Sequence, residues 1–334
     1  MNSPTYADVV DARPVVGRWL RPTPLIEWPA LSAVLGCRYF LKHENHLPTT
    51  AFKVRGGINL VARLSERERA AGVVGCTTGN HGQSLAYACR LYGVRCLLVV
   101  PEGANPDKVA AMRALGAEIV AHGRDFDDAR TYCDQLQRET GMRYVHSANE
   151  PHLIAGVGTS ALEIFDDLPE PDVILVPIGL GSGICGTALV AAERRPATRV
   201  IGVQSELASA VAQSWRAGRW IEGPVPRTFA EGFATRVPAE MTLEIMRRLV
   251  HDIVLVSDDQ LRESIRLLLR TTHNLAEGAG AAATAAALYP LREQLCGKTV
   301  VGVLSGGNLD LRELARILEF REGEAPAEPE LRPT

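Results

Sequence analysis

Lys53, in the run LPTTAFKVRGG (47–57), is the residue whose setting suits a nucleophile or a base. A lysine attacks a carbonyl only as the free amine, and burial or a nearby cation lowers its pKa toward neutrality. Phe52 and Val54 supply apolar neighbours and Arg55 a cation, although the local sequence equally suits a solvated side chain at a helix start. Three glycine-rich turns add further chemistry. In TTGNHGQSLAYA (77–88), Gly79 and Gly82 permit a tight turn whose N–H groups, at a helix start, point at an anion such as a carboxylate. Asn80 offers an amide donor and His81 a ring that donates or accepts; the same turn also reads as a helix cap with Thr78 or Asn80 satisfying backbone donors. VPIGLGSGICG (176–186) runs from strand to glycine turn to helix, a pattern that cradles phosphate or serves as a plain crossover. It is not a nucleotide fingerprint: there is no G-x-x-x-x-G-K-[ST], and Gly179 and Gly181 are followed by Gly183 and Gly186, out of step with G-x-G-x-x-G. In VVGVLSGGN (300–308), Ser305 can hydrogen-bond a ligand heteroatom while Gly306 and Gly307 keep the loop thin, or the turn simply ends a strand.

Positioning these residues requires strands that end in the turns. The runs RYFLKHE, GVVGCTT, RCLLVV, EIVAHG, DVILVPI, RVIGVQS, DIVLVS and KTVVGVLS alternate with helical patterns such as QSLAYACRLYG and DKVAAMRALG. This alternation predicts βαβ units and an α/β fold with open, mostly parallel sheets flanked by helices. Ligands in such sheets bind at the carboxyl ends of strands, where the turns lie. Two βα sets are expected, one over about 45–148 and one from about 149 to 320. The Glu- and Pro-rich stretch 321–334 reads as a disordered tail, with no added regulatory domain after residue 320. The segment HNLAEGAGAAATAAALY (273–289) is apolar enough to suggest a membrane helix, but Glu277 and its small residues fit a tightly packed internal helix.

The chain has 334 residues, is 46% hydrophobic and carries a net charge of −3, which supports two lobes around a cleft. It offers no basic field for nucleic acid and no polybasic run for a membrane, so a small-molecule partner is expected. Asp8, Asp11 and Arg13 stand where a signal peptide needs an apolar stretch, and a cytoplasmic protein is expected. The seven cysteines, Cys37, Cys76, Cys89, Cys96, Cys133, Cys185 and Cys296, form no C-x-x-C or zinc-spaced cluster and are expected to be mostly reduced, buried and inert.

Taken together and in this order, the four segments resemble the fold-type II pyridoxal-phosphate enzymes, tryptophan synthase β-subunit-like in architecture, and within them the threonine/serine dehydratase and serine racemase branch. The likeness runs from RPTPLIEWPALS (21–32) to SGGN (305–308). It implies a two-lobed molecule: a large cofactor-binding domain of 1–44 plus 149–320, and a small mobile domain of 45–148. It implies pyridoxal 5'-phosphate as cofactor, with Lys53 as the Schiff-base lysine and Phe52 packed against the ring. Asn80 would donate to the phenolic oxygen, and the Thr78–His81 turn, Gly79 included, would receive the substrate carboxylate. Gly179, Leu180, Gly181, Ser182 and Gly183 would wrap the phosphate, and Ser305 would face the pyridine nitrogen. Arg130 sits where similar enzymes carry a carboxylate-assisting arginine. Glu277 matches an acidic position near the substrate, which reads the substrate or only caps the following helix. A homodimer is expected by the same likeness.

The implied reaction is β-elimination from threonine, serine or another β-hydroxy amino acid such as 3-hydroxyaspartate or phenylserine, giving a 2-oxo acid and ammonia. Ser305 favours it, because a hydroxyl cannot stabilise a protonated pyridine as an aspartate would, which suits elimination better than transamination. An amino-acid racemase of the serine type is the mechanistic rival. Racemases of this branch carry a serine acid/base immediately before the Gly-Asn-His turn, where this chain has Thr78, whose methyl group crowds a proton relay. A cofactor-binding protein without turnover and a β-replacement synthase are further alternatives; the latter has Gly-Asn-Thr-Gly where GNHGQ stands here. Two other departures matter. The usual run of four glycines reads Gly179, Leu180, Gly181, Ser182, which keeps the backbone donors. The carboxylate positions of a divalent-cation site fall on Gln204 and Ala210, with only Glu206 nearby, so no such site is expected.

Overall fold

The computed structural model describes residues 2–124 and 126–319, the side chain of Asp127 apart, and the tail expected over 321–334 lies outside the described residues. Strands form where β-branched and aliphatic runs are bounded by turns. They are β1 (Leu25–Glu27), β2 (Arg38–His43), β3 (Val73–Cys76), β4 (Cys96–Val100), β5 (Glu118–Ala121), β6 (Arg143–Tyr144), β7 (Val173–Pro177), β8 (Arg199–Ser205), β9 (Asp252–Val256) and β10 (Thr299–Leu304). They build two sheets, one ordered β1-β2-β10-β7-β8-β9 and one ordered β5-β4-β3-β6. Every pairing is parallel except β1 with β2, which run antiparallel with Leu25 opposite Lys42. All eight expected strands form. The two additional ones, β1 and β6, have three and two residues and are too short to show a period of their own.

Helices cover both faces, so strands such as β4 and β10 are apolar along almost their whole length rather than alternating. One core cluster gathers Leu41, Leu175, Val203, Leu268 and the alanines of the helix Gly278–Leu288; another packs Ile174, Val176, Ile184 and Val301 on the opposite face of the larger sheet. Gly278–Leu288 has only small residues through most of its length, and every residue from Gly278 to Ala287 is buried. It packs against β10 and β7, as the internal-helix reading expected. Among the described residues, no helix is long and apolar enough to cross a membrane.

The larger sheet sets the site. Because β2, β10 and β7 are parallel neighbours, the loops leaving their carboxyl ends emerge side by side, carrying Lys53, Ser305 and Gly179. The smaller sheet supplies the opposite wall through the turn after β3.

Candidate active site

The loop before Lys53 is zipped to the loop after β10: Phe52 N–H donates to the Ser305 carbonyl at 3.0 Å, and Gly307 N–H to the Thr50 carbonyl at 2.9 Å. Lys53 opens the helix Lys53–Ala62, and its own carbonyl accepts from Ser84 Oγ at 2.6 Å, which ties it to the helix Asn80–Tyr92. The Lys53 amine donates to the Ser147 carbonyl at 3.0 Å and to Ser182 Oγ at 2.9 Å, and lies 5.3 Å from the centre of the Phe52 ring. Burial pulls its pKa down to about 8. The expected help from Arg55 is corrected. That guanidinium turns into a separate buried cluster, reaching Glu44 at 2.7 and 2.8 Å and Glu163 at 2.6 and 2.8 Å, while Lys42 meets Glu163 at 2.6 Å. Two cations and two carboxylates balance there, and desolvation alone accounts for the lowered Lys53.

The glycine turn after β7 ends on Gly181, at φ +100° the N-cap of the 13-residue helix Ser182–Arg194. No side chain caps this helix, so its first N–H groups face the cleft. A Cβ on Gly179 would lie 2.4 Å from the Gly232 carbonyl, and one on Gly183 would sit 3.1 Å from the Phe52 ring. Leu180 fits because its side chain packs with Ala148 and Ala239 while its carbonyl accepts from Thr242 Oγ1 at 2.6 Å.

In the turn after β3, the capping roles weighed for Thr78 and Asn80 fall instead to Thr77, whose Oγ1 accepts from both Gly79 N–H and Gly82 N–H at 2.9 Å. Thr78 and Gly79 line the cleft. Asn80 is locked at both ends: its amide nitrogen donates to Glu277 at 2.6 Å and its oxygen accepts from Asn308 at 2.7 Å. His81 is buried, with Nε2 3.2 Å from the Val145 carbonyl, and burial drops its pKa to about 3, so the ring is neutral and Nε2 donates. Glu277 occupies the N-cap position of Gly278–Leu288, yet its carboxylate caps no helix N–H. Burial raises it to about 7, against the pull of Lys108 and the Asn80 hydrogen bond.

One cleft is lined by Phe52, Lys53, the 77–81 turn, residues 179–183, Glu277 and Ser305. Arg130 stands apart, lining an adjoining cavity with His146, Phe126 and Trp220. His146 is held neutral by burial, Arg130 and Lys53, at about 4. Lys108, Glu231 and Ser147 also line the cleft and carry no mark in the sequence, because the surroundings that matter to them come from distant segments. Six of the seven cysteines are buried, Cys296 is exposed, and none is in a disulfide. Gln204, at one of the positions weighed for a cation, accepts from Ala212 N–H at 3.0 Å and donates to the Gly179 carbonyl at 3.5 Å.

This donor set fits pyridoxal phosphate. A helix N-terminus that admits only glycine at its close approaches suits a phosphate, a lysine amine lies 2.9 Å from the same turn, and a serine hydroxyl stands on the wall between. Residues 16–306 match the family described as pyridoxal-phosphate dependent enzyme. The chain belongs to this family. It is a fold-type II member, with the mixed α/β architecture and mostly parallel sheets of that class. It is 38% identical over 314 residues to an L-threonine ammonia-lyase of Thermotoga maritima, covering 94% of this chain and 78% of that protein. Among solved structures of these enzymes, it superimposes on the processed form of threonine deaminase isoform 2 from Solanum lycopersicum with a TM-score of 0.89 at 29% identity, covering 95% of each chain. It is similar also to maize serine racemase, with a TM-score of 0.90 at 29% identity, covering 94% of this chain and 97% of that one.

Proposed function

We propose that this pyridoxal-phosphate dependent enzyme is a threonine/serine ammonia-lyase, turning a β-hydroxy amino acid into a 2-oxo acid and ammonia by β-elimination. The observation that carries the reading is the Lys53 amine, lowered to about 8 and set 2.9 Å from the glycine turn in the cleft that Ser305 also lines. Similarity to an L-threonine ammonia-lyase over nearly the whole chain supports the substrate class. The large lobe would comprise 1–44 plus 149–320 and the small mobile lobe 45–148, a division supported by the two sheets. The protein would act in the cytoplasm, as a homodimer.

Residues 179–183 would hold the phosphate, Lys53 the aldehyde carbon, and Ser305 the ring nitrogen. The second hydrogen of the Asn80 amide would serve the phenolic oxygen. When bound, pyridoxal phosphate supplies a sink for the negative charge that develops at the amino acid's Cα. The substrate carboxylate would be received by the Thr78, Asn80 and His81 N–H groups of the turn after β3, since that of Gly79 is held by Thr77, and this would turn the Cα–H bond toward Lys53. The free Lys53 amine takes the α-proton at Nζ, the Cβ–O bond breaks with its electron pair leaving on oxygen, and a proton equal to the one Lys53 took makes that oxygen water; the enamino acid left is then hydrolysed by a second water to the 2-oxo acid and ammonia. Ser305, a hydroxyl without charge, leaves the negative charge at Cα available for expelling the β-oxygen. Glu277, its carboxyl raised to about 7, would read the substrate amine, and Arg130, lining the adjoining cavity, would assist the carboxylate from the outside.

The test is 2-oxo acid release from L-threonine, L-serine, 3-hydroxyaspartate and phenylserine. Conversion of L-serine to D-serine without 2-oxo acid would replace this reading with the racemase one. Lys53→Ala is expected to abolish both turnover and the visible absorbance of the covalently held cofactor; a variant that kept that absorbance would remove Lys53 from its role.

A further inference from the structure

The helix Pro106–Ala114 sits on the smaller sheet, and its first turn reaches across the cleft at two points. Lys108 forms an ion pair with Glu231, in the short turn Glu231–Phe233 of the opposite wall. Asn105 Nδ2 donates to Asp310 Oδ2 at 2.6 Å. The second contact joins two helix caps. The other oxygen of Asp310 accepts from Arg312 and Glu313 N–H, at 2.7 and 3.2 Å, to cap Leu311–Leu318. The oxygen of Asn105 accepts from Asp107 and Lys108 N–H, at 2.9 and 3.3 Å, to cap its own helix. Each side chain therefore keeps its helix capped whether or not the pair is joined, so separation disturbs neither helix.

The placement covers the reacting groups. The Lys108 side chain lies over the 78–81 turn, its Cδ 3.1 Å from where a Gly79 Cβ would stand, and Lys108 and Glu231 both line the cleft that holds Lys53 and Glu277. Lys108 is 12% exposed and Glu231 43% exposed, so the pair stands at the water boundary. An ion pair in that position biases an equilibrium by a few-fold and can be made and broken during turnover.

We propose that Lys108–Glu231 and Asn105–Asp310 form a two-point clasp that holds the cleft closed over bound substrate. The four residues are positioning residues: they shift the balance between open and closed cleft and leave the reacting atoms to Lys53. The proposal rests on the reading of this cleft as the cofactor site. Opening exposes the cofactor to small nucleophiles and weakens retention of the amino acid.

The experiment compares holoenzyme variants by the rate at which hydroxylamine strips the bound cofactor and by the split between KM and kcat. Glu231→Gln and Lys108→Met are expected to speed stripping and raise KM for the amino acid by roughly three- to tenfold, with kcat changed less than KM. Asp310→Asn keeps a capping oxygen for its helix but turns an amide toward the Asn105 amide, so it is expected to open the clasp in a folded protein. The exchange Lys108→Glu with Glu231→Lys is expected to return both readouts to within about twofold of the parent, while each single reversal does not. An exchange as impaired as Lys108→Glu alone would overturn the clasp, as would parental stripping rates in both Glu231→Gln and Asp310→Asn. Failure of the parent protein to take up cofactor is a separate result, and it would count against the functional reading itself.

Discussion

The reactivity of Lys53 depends on where its amine ends, between a carbonyl and a serine hydroxyl inside the cleft. With a pKa near 8, about one tenth of the amine is free at pH 7, against about one part in 2,500 for a solvated lysine of pKa ~10.4. Only the free amine captures an aldehyde. Capture of pyridoxal phosphate by the apoenzyme is therefore expected to accelerate as pH rises and to level off above about 8; stopped-flow absorbance would show this, and a midpoint above 10 would contradict it. The candidacy of Lys53 was legible in the sequence, and so was burial as one of two causes of its lowered pKa; that the other, Arg55, takes no part was not. Arg55 stands two residues away along the chain, yet the first turn of the helix directs it into the cluster with Glu44 and Glu163. Nothing in the local run reveals which way a side chain points once the helix begins.

Elements were legible where a pattern repeats along the chain and illegible where a partner creates them. Long apolar runs marked eight strands, and glycine marked the turns where backbones meet, as at Gly179 against the Gly232 carbonyl. β1 exists because β2 offers it an edge, and Lys108 matters because Glu231, 123 residues later, faces it. The packing of Gly278–Leu288 gives a direct test of the glycine argument. A Cβ on Gly280 would lie 2.2 Å from the carbonyl oxygen of Gly306, in the loop that carries Ser305. Backbone cannot swing aside as a side-chain tip does, so Gly280→Ala is expected to cost about 1–3 kcal/mol and to loosen the cofactor. Thermal unfolding of the apoprotein and cofactor dissociation from the holoenzyme would measure the two effects; an alanine variant with parental values in both would show that the loop can retreat.

For the molecule as a whole, the buried cluster of Lys42, Glu44, Arg55 and Glu163 is a junction, since its members come from β2, the turn after it, the Lys53 helix and the helix Pro151–Asp167. Its charges balance, and removing one leaves an uncompensated ion in the interior. Arg55→Leu is expected to destabilise the protein by about 3–5 kcal/mol, read as a lowered urea midpoint, whereas breaking the exposed pair Arg95–Glu118 is expected to leave that midpoint little changed. The sheet order also bears on how the chain comes into being on the ribosome. All four strands of the smaller sheet are complete by Tyr144, so they can pair while the rest is still being made. In the larger sheet β10 lies between β2 and β7, and the early strand β2 must wait for a neighbour that emerges some 260 residues later. Ser305 follows directly on that same last strand. A nascent chain therefore displays its lysine early and can enclose a cofactor only once β10 has emerged to join β2 to β7.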